Sequence, residues 1–182
     1  SRLPLKARGY RRAVLGTGPL PRPQAASSDS SKVIRFEYGA DEFYMGLAEQ
    51  ARDGWLRWNE EWPEPLYHEV GLTMLTRQPM APGDFAYESY RRLQASGYAV
   101  ERLTPSDVAR RFPAWNAARY EDGYFNPCSG YAESGRVVAH LVALAAASGV
   151  TFHAAQPVAA LIERAGRVTG IFYYGNLTDG SD

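Results

Sequence analysis

Cysteine is almost absent from this chain. Cys128 is the only one among 182 residues, which excludes an intramolecular disulfide and a cysteine-rich metal site. The histidines His68, His140 and His153 are far apart in sequence and lack the paired spacing of metal ligands. We therefore predict no metal site, and the scarcity of cysteine fits a reducing compartment such as the cytoplasm.

Long apolar runs and net charge are missing as well. No segment approaches the about 18 consecutive apolar residues of a membrane-spanning helix. Positive and negative side chains number 20 each, so the formal net charge is zero. This balance favours neither nucleic acid nor a membrane surface as a partner. With 45% hydrophobic and 22% charged residues, the composition is that of a globular protein.

The beginning of the chain combines helix, strand and loop signals. Leu5 to Gly9 is typical of a helix end closed by glycine, and Arg12 to Leu15 predicts a short buried strand. From Gly16 to Ser31 the chain is rich in Gly, Pro and Ser, which predicts a long loop. Loops of this length in compact domains are usually functional or disordered.

Apolar spacing and end signals predict four further helices. The first spans Asp41 to Glu61, with its apolar and aromatic stripe in the core. That stripe consists of Tyr44, Leu47, Ala48, Ala51, Trp55 and Trp58. Asp84 to Ser96 is closed by Gly97, and a short helix has Thr104 as its cap and Pro105 in its first position. The last helix is capped by Ser134 and stops at Gly149.

Strand signals lie between and after these helices, while the stretch from Asn116 to Gly130 is rich in turn residues. The predicted strands are Val70 to Thr76, Tyr98 to Leu103, Val150 to Ala154, Val158 to Glu163 and Arg167 to Tyr174. The order indicates a mixed α/β (α+β) fold with an antiparallel portion. Open strand edges at Gly16 and Tyr174 would allow association with another chain.

Several stretches in this order resemble one group of flavoenzymes. They are RAVLG, the serine-rich ASSDSSKVIRFEYG, a helix ending in tryptophans, VGLTMLT, TPSDVARRFPAW and GYFNPCSGYAESGRVVAHLVALAAASGV, followed by strands around ERAGRVTGI. Together they are similar to monomeric sarcosine oxidase and fructosyl-amino-acid oxidase, in the D-amino-acid-oxidase-like superfamily. The resemblance covers most of the chain.

The resemblance implies a partial FAD-binding, Rossmann-like domain with part of an antiparallel-sheet substrate domain. Residues 1–40 would be a remnant of the FAD-binding domain with a flavin-facing loop, 41–132 the substrate-domain portion, and 133–182 a return to the FAD-binding domain. The usual G-x-G-x-x-G turn is absent from the chain, and Gly16 stands where an acid would bind the ribose. We therefore expect an internal piece of a longer enzyme that binds FAD poorly alone.

The resemblance also assigns a candidate site to the segment from Ser27 to Arg35. Lys32 stands where a basic residue lies against the flavin, Arg35 where an arginine binds a substrate carboxylate, and Ser27 and Ser28 belong to the flavin-binding stretch. Lys32 and Arg35 would share one side of a helical turn. Without the resemblance, both cations would be taken as surface residues.

The function implied is FAD-dependent oxidation of a C–N bond in a small-molecule amine or N-substituted amino acid, of the sarcosine or fructosyl-amino-acid type. The lysine at position 32 is closer to the fructosyl-amino-acid branch. A second hypothesis is a non-catalytic or partner-dependent α/β domain that does not bind FAD. A third is another dinucleotide enzyme that shares only the scaffold.

Overall fold

A computed structural model describes residues 12–173 of the protein, so the helix end predicted at Leu5 to Gly9 lies outside the described residues. The α-helices are α1 Glu42–Glu61, α2 Phe85–Ala95, α3 Pro105–Arg111 and α4 Ser134–Ala147. The strands are β1 Ala13–Leu15, β2 Lys32–Ile34, β3 Tyr67–His68, β4 Leu72–Thr76, β5 Glu101–Arg102, β6 Asp122–Asn126, β7 Gly130–Ala132, β8 Thr151–His153, β9 Val158–Arg164 and β10 Arg167–Tyr173. The predicted mixed α/β fold is confirmed.

Over the described residues the chain divides into two compact units, the first formed by residues 12–30 and 134–173 and the second by residues 31–133. The second unit contains two antiparallel sheets, ordered β2-β7-β3 and β4-β6-β5. Its core includes Phe36, Leu93 and Tyr124, each with no exposed surface, together with Met45. These side chains come from a loop, two helices and the central strand β6, so their burial stabilises the tertiary arrangement more than any one element.

The stretch from Asn116 to Gly130, which the sequence predicts to be rich in turns, also contains a strand. It contains β6, the central strand of its sheet, which pairs with β4 and β5. Gly123 hides this strand from sequence analysis, since glycine normally weakens a strand. A Cβ atom at Gly123 would lie 2.3 Å from the carbonyl oxygen of Met74, so only glycine permits the close approach of β4.

The long helix α1 forms where predicted, but much of the predicted apolar stripe is not core. Its N-terminal cap is Asp41, whose carboxyl oxygen accepts a hydrogen bond of 3.0 Å from the N–H of Tyr44. Met45 is its buried residue, whereas Tyr44 and Leu47 are 54% and 45% exposed. The packed face is therefore displaced around the helix relative to the predicted one.

The shorter helices α2 and α3 follow their end signals. Thr104 and Asp107 form a capping box, in which each side chain accepts a hydrogen bond from the backbone N–H of the other residue, and Pro105 opens α3. Helix α2 ends before Gly97, which has a φ of +82°. The predicted strand after it is reduced to the two residues of β5.

The first unit contains the parallel pair β1–β8, the helix α4 and the antiparallel hairpin β9–β10. The strand predictions at both ends are confirmed, but β1 is partly exposed rather than buried, with Val14 39% exposed. Helix α4 stops before Gly149, as predicted. Ser134 is its first residue, and the Ser134 hydroxyl donates to the carbonyl oxygen of Asp29, which joins the long loop to the start of α4.

Candidate functional site

The two cations predicted to form the site lie at β2 and directly after it. Lys32 pairs with Ala132 of β7 and its side chain is exposed, whereas Arg35 is half-buried. The prediction that they share one side of a helical turn is wrong, because the segment beginning at Lys32 is a strand. Successive side chains of a strand point to opposite faces, so positions three apart do not share a face. Each cation has to be judged by its own surroundings.

Arg35 is held between two aromatic rings. Its guanidinium carbon lies 5.2 Å from the centre of the Tyr38 ring and 5.7 Å from that of Phe85, within the range of cation–π attraction. One nitrogen, Nη1, donates a hydrogen bond to the backbone carbonyl of Glu37. In residues 12–173 no other hydrogen bond of this guanidinium is seen, so most of its five N–H donors have no acceptor within that part of the chain.

A buried carboxyl group, that of Glu37, lies two residues after this arginine in the chain. Glu37 has no exposed surface, and Oε1 accepts a hydrogen bond of 2.8 Å from the Asn126 amide, while Oε2 accepts one of 3.0 Å from the N–H of Phe36. The Ser129 hydroxyl lies 3.3 Å from Oε2. Asn126 and Ser129 are also fully buried and bond each other over 3.0 Å. This polar cluster joins the loop after β2 to the connection between β6 and β7.

The same loop is fixed at its other end by Gly39 and Ser89. The N–H of Gly39 donates a hydrogen bond of 2.8 Å to the Ser89 hydroxyl on α2. Gly39 has a φ of +62°, and a Cβ atom there would lie 3.1 Å from the Phe85 ring. The backbone angle therefore favours glycine, and the Phe85 ring leaves little room for a Cβ atom. The loop from residue 36 to 39 is anchored at two points.

The pKa of the buried Tyr124 hydroxyl is influenced by both Glu37 and Arg35. Burial raises the pKa of the Tyr124 hydroxyl far above its ordinary value, and the nearby Glu37 carboxyl raises it further. The Ser89 hydroxyl and the Arg35 guanidinium oppose this rise. The hydroxyl therefore stays protonated across the physiological pH range.

The predicted flavin-contacting serines belong to the first unit. Ser27 and Ser28 lie in a 3₁₀ turn, Ala26–Ser28, within the long loop, where Ser27 is exposed and the Ser28 hydroxyl donates to the carbonyl of Arg22. The loop is tied to α4, because Asp29 accepts a hydrogen bond of 3.1 Å from the N–H of Gly135. A structured turn therefore precedes Lys32 in the chain.

Gly16, at the predicted ribose position, directly follows β1. Its N–H donates to the carbonyl of His153 over 3.1 Å, and its carbonyl accepts from the N–H of Gln156 over 2.8 Å. Both backbone groups are thus used within the fold, and the residue has no side chain to offer. The position supplies no carboxylate to a ribose hydroxyl.

The remaining candidate groups take structural places. Cys128 lies half-buried in the turn between β6 and β7, where its N–H donates to Asn126 Oδ1 over 3.1 Å. His68 lies 2.8 Å from a carboxyl oxygen of Glu133. Over residues 12–173, His, Cys, Asp and Glu form no group of three or more that could hold a metal ion. No helix in that same range is both long and apolar enough to cross a membrane.

Sequence reasoning missed the Glu37 cluster. A single glutamate in an extended segment gives no periodic signal, and its partners Asn126 and Ser129 lie in the stretch predicted as turns. The one available signal was the run Phe36 to Gly39, in which a charged residue stands between aromatic ones. A glutamate between two aromatic residues can be drawn into the core with them, and a buried carboxyl group then requires hydrogen-bond partners.

Comparison with known proteins identifies the family. Its sequence profile, described as DAO, FAD dependent oxidoreductase, matches residues 3–182, and the chain belongs to this family. Among curated proteins, sequence comparison found no match. The described residues accordingly have the mixed α/β, FAD-binding fold of this family, with antiparallel sheets in the second unit.

Solved structures share this fold at low sequence identity. Glycine oxidase from Bacillus cereus ATCC 14579 is 17% identical over 93% of this chain, with a TM-score of 0.73 and 46% of its own chain covered. L-proline dehydrogenase from P. horikoshii is 15% identical over 93%, with a TM-score of 0.78 and 44% covered. A thermally stable mutant of fructosyl peptide oxidase is 19% identical over 93%, with a TM-score of 0.70 and 43% covered. The chain thus spans less than half the length of each.

Proposed function

We propose that this protein acts in the FAD-dependent oxidation of a C–N bond in a secondary amine or N-substituted amino acid, of the sarcosine or fructosyl-amino-acid type. Family membership supports the cofactor, and the three similar structures are named for glycine, L-proline and fructosyl peptide. FAD, when bound, supplies the chemistry by accepting the two electrons removed from the C–N bond. The protein's residues bind and orient the substrate.

The observation that carries the proposal is the way in which the Arg35 guanidinium is held. Its guanidinium is fixed by two rings and one hydrogen bond, yet it is only half-buried and retains unused donors within the described residues. A planar guanidinium held in this way is suited to bidentate binding of a carboxylate. We assign Arg35 to the carboxylate of the amino-acid substrate.

Lys32, Ser27 and Ser28 are proposed as flavin contacts. Lys32 projects from β2 with its side chain exposed, where a cation stabilises negative charge on a neighbouring group. Ser27 and Ser28 offer hydroxyl groups on a structured turn, and hydroxyl groups suit a polar cofactor as both donors and acceptors. Their assignment rests on the resemblance of this segment to sarcosine and fructosyl-amino-acid oxidases.

The competing proposal is an α/β domain of this family that does not bind FAD. It is favoured by Gly16, which has no side-chain acceptor for a ribose. The two proposals differ in whether flavin binds at all.

The test is anaerobic reduction of the FAD-loaded protein. We expect N-methylglycine or a fructosyl amino acid to bleach the oxidised-flavin absorbance, and Arg35→Ala to weaken apparent substrate affinity by about 10- to 100-fold, the equivalent of one or two charge-assisted hydrogen bonds. Arg77→Ala, at an exposed arginine of the same unit, is the matched control and should leave affinity unchanged. Flavin that binds but is bleached by neither substrate would refute the proposed substrate class.

A further inference from the structure

We infer that Glu37 is a positioning residue, whose buried carboxyl group anchors the loop that aims Arg35 at a substrate carboxylate. This inference rests on the proposed function of Arg35. It assigns to Glu37 no contact with substrate or flavin. The selectivity of Arg35 for carboxylates then depends on the buried side chain of Glu37.

Burial of Glu37 calls for an explanation beyond stability. A carboxyl group with no exposed surface is costly to desolvate, and an apolar side chain of similar volume often stabilises a core at least as well. Within residues 12–173, no Lys, Arg or His side chain forms an ion pair with it. The carboxyl group instead gathers donors from Phe36, Asn126 and Ser129, which belong to two separate parts of the chain. Such an arrangement fixes a backbone position.

The fixed backbone is the one that holds Arg35. The carbonyl group that accepts from Arg35 Nη1 belongs to Glu37 itself, so the side chain that is anchored and the acceptor are parts of one residue. Tyr38, the next residue, supplies one of the two rings that flank the guanidinium. The bond from Gly39 to Ser89 then fixes the far end of the loop and brings it against Phe85. The contacts of the guanidinium are therefore made by this loop, through the Glu37 carbonyl and the Tyr38 ring, or by the Phe85 ring next to it.

Carboxylate recognition is sensitive to such placement. Two parallel N–H···O bonds form only when the guanidinium plane and the carboxylate plane are aligned, and sites held loosely lose affinity by small displacements. A neutral ligand of the same shape makes less demand on this alignment. Disturbing Glu37 should therefore weaken binding of a carboxylate selectively.

The test compares propanoate with its neutral isostere propanamide, titrated by calorimetry into the protein saturated with FAD. In Glu37→Gln the amide NH₂ must face at least one group that donates to the native carboxyl, which displaces the loop. We expect about 10-fold weaker propanoate binding, the equivalent of one hydrogen bond, with propanamide binding unchanged. Glu60→Gln, an exposed glutamate of α1, is the matched control and should change neither value.

Pairing with Arg35→Ala separates positioning from general damage. If Glu37 acts through Arg35, Glu37→Gln has no further effect on propanoate once Arg35 is alanine. If Arg35→Ala weakens propanoate binding but Glu37→Gln does not, or weakens both ligands equally, the inference is overturned while the role of Arg35 stands. If Arg35→Ala itself has no effect, the proposed role of Arg35 fails and the inference fails with it.

A second variant keeps the test decisive if Glu37→Gln does not fold. Ser89→Ala removes the anchor of Gly39 at the other end of the loop and leaves the buried carboxyl cluster in place. The same selective loss of propanoate binding is expected. Full retention of propanoate affinity in a folded Ser89→Ala protein, judged by circular dichroism, would overturn the inference that loop anchoring aims Arg35.

Discussion

Replacing Leu93 by alanine should strongly destabilise the second unit. Leu93 lies on α2 with no exposed surface and belongs to the core cluster that includes Phe36 and Tyr124. Truncation removes three carbon atoms, worth about 0.8 kcal/mol each as lost burial. The cavity left behind adds a further cost, because a close-packed interior relaxes only in part. We expect a total loss of about 3 to 4 kcal/mol.

The control for this prediction is Leu47→Ala, the same truncation on α1 of the same unit. Leu47 is 45% exposed, so the expected loss is below about 1 kcal/mol. Urea-induced unfolding of the two variants and the parent protein, followed by circular dichroism, gives the free energies to compare. Equal losses, or a larger one for Leu47→Ala, would refute the assignment of the buried face of α1 and support the stripe predicted from sequence periodicity.

Three other predictions concern single contacts. Thr104→Ala removes one half of the capping box and should cost about 1 kcal/mol in thermal unfolding; an unchanged midpoint would contradict the cap. Gly130→Ala would place a Cβ atom 1.9 Å from the carbonyl oxygen of His68, and because backbone cannot yield cheaply, we expect a loss of about 3 kcal/mol in urea unfolding; a stable variant would show that the β3–β7 approach is wrong. Burial alone would raise the pKa of Asp122, but hydrogen bonds from Arg102 and two backbone N–H groups outweigh it and lower that pKa. The lowered pKa contributes stability that is present above the ordinary carboxyl value of about 3.8 and lost as the pH falls through the lower folded value, so Asp122→Asn should flatten acid unfolding in that window; an unaltered pH dependence would refute this.

Local signals predicted the helices well. The sequence from Thr104 to Asp107 carries the cap, the proline and the acid that together start α3, and each acts within one turn of its neighbours. Gly97 and Gly149 end α2 and α4 for an equally local reason, their positive φ. Elements specified by nearby residues can be read from sequence because the physics involved is local.

Features set by distant partners could not be predicted. The strand β6 exists because β4 and β5 flank it, and Gly123 looks like a turn signal until the neighbouring carbonyl of Met74 is in place. The buried face of α1 likewise depends on what packs against it, so hydrophobic spacing alone selected Leu47 for the core.

In the candidate site too, what depends on distant partners could not be predicted from the sequence. Resemblance to known flavoenzymes pointed to Lys32 and Arg35, and their functional roles stay predictions. The helical turn assumed to join them was wrong, because β2 forms by pairing with β7, far along the chain. Glu37 and Asn126 are 89 positions apart, so only the folded structure shows that their side chains meet.

The central claim is that this protein binds FAD and uses it. Its most direct test is purification of the protein in the presence of added FAD, followed by gel filtration with detection at the visible absorbance band of oxidised flavin. Because Gly16 offers a ribose no side-chain acceptor, we expect weak binding, and the predicted result is flavin absorbance that comigrates with the protein when FAD is kept in excess. A colourless protein peak at saturating FAD would contradict the proposed function and leave the family membership and the fold unchanged.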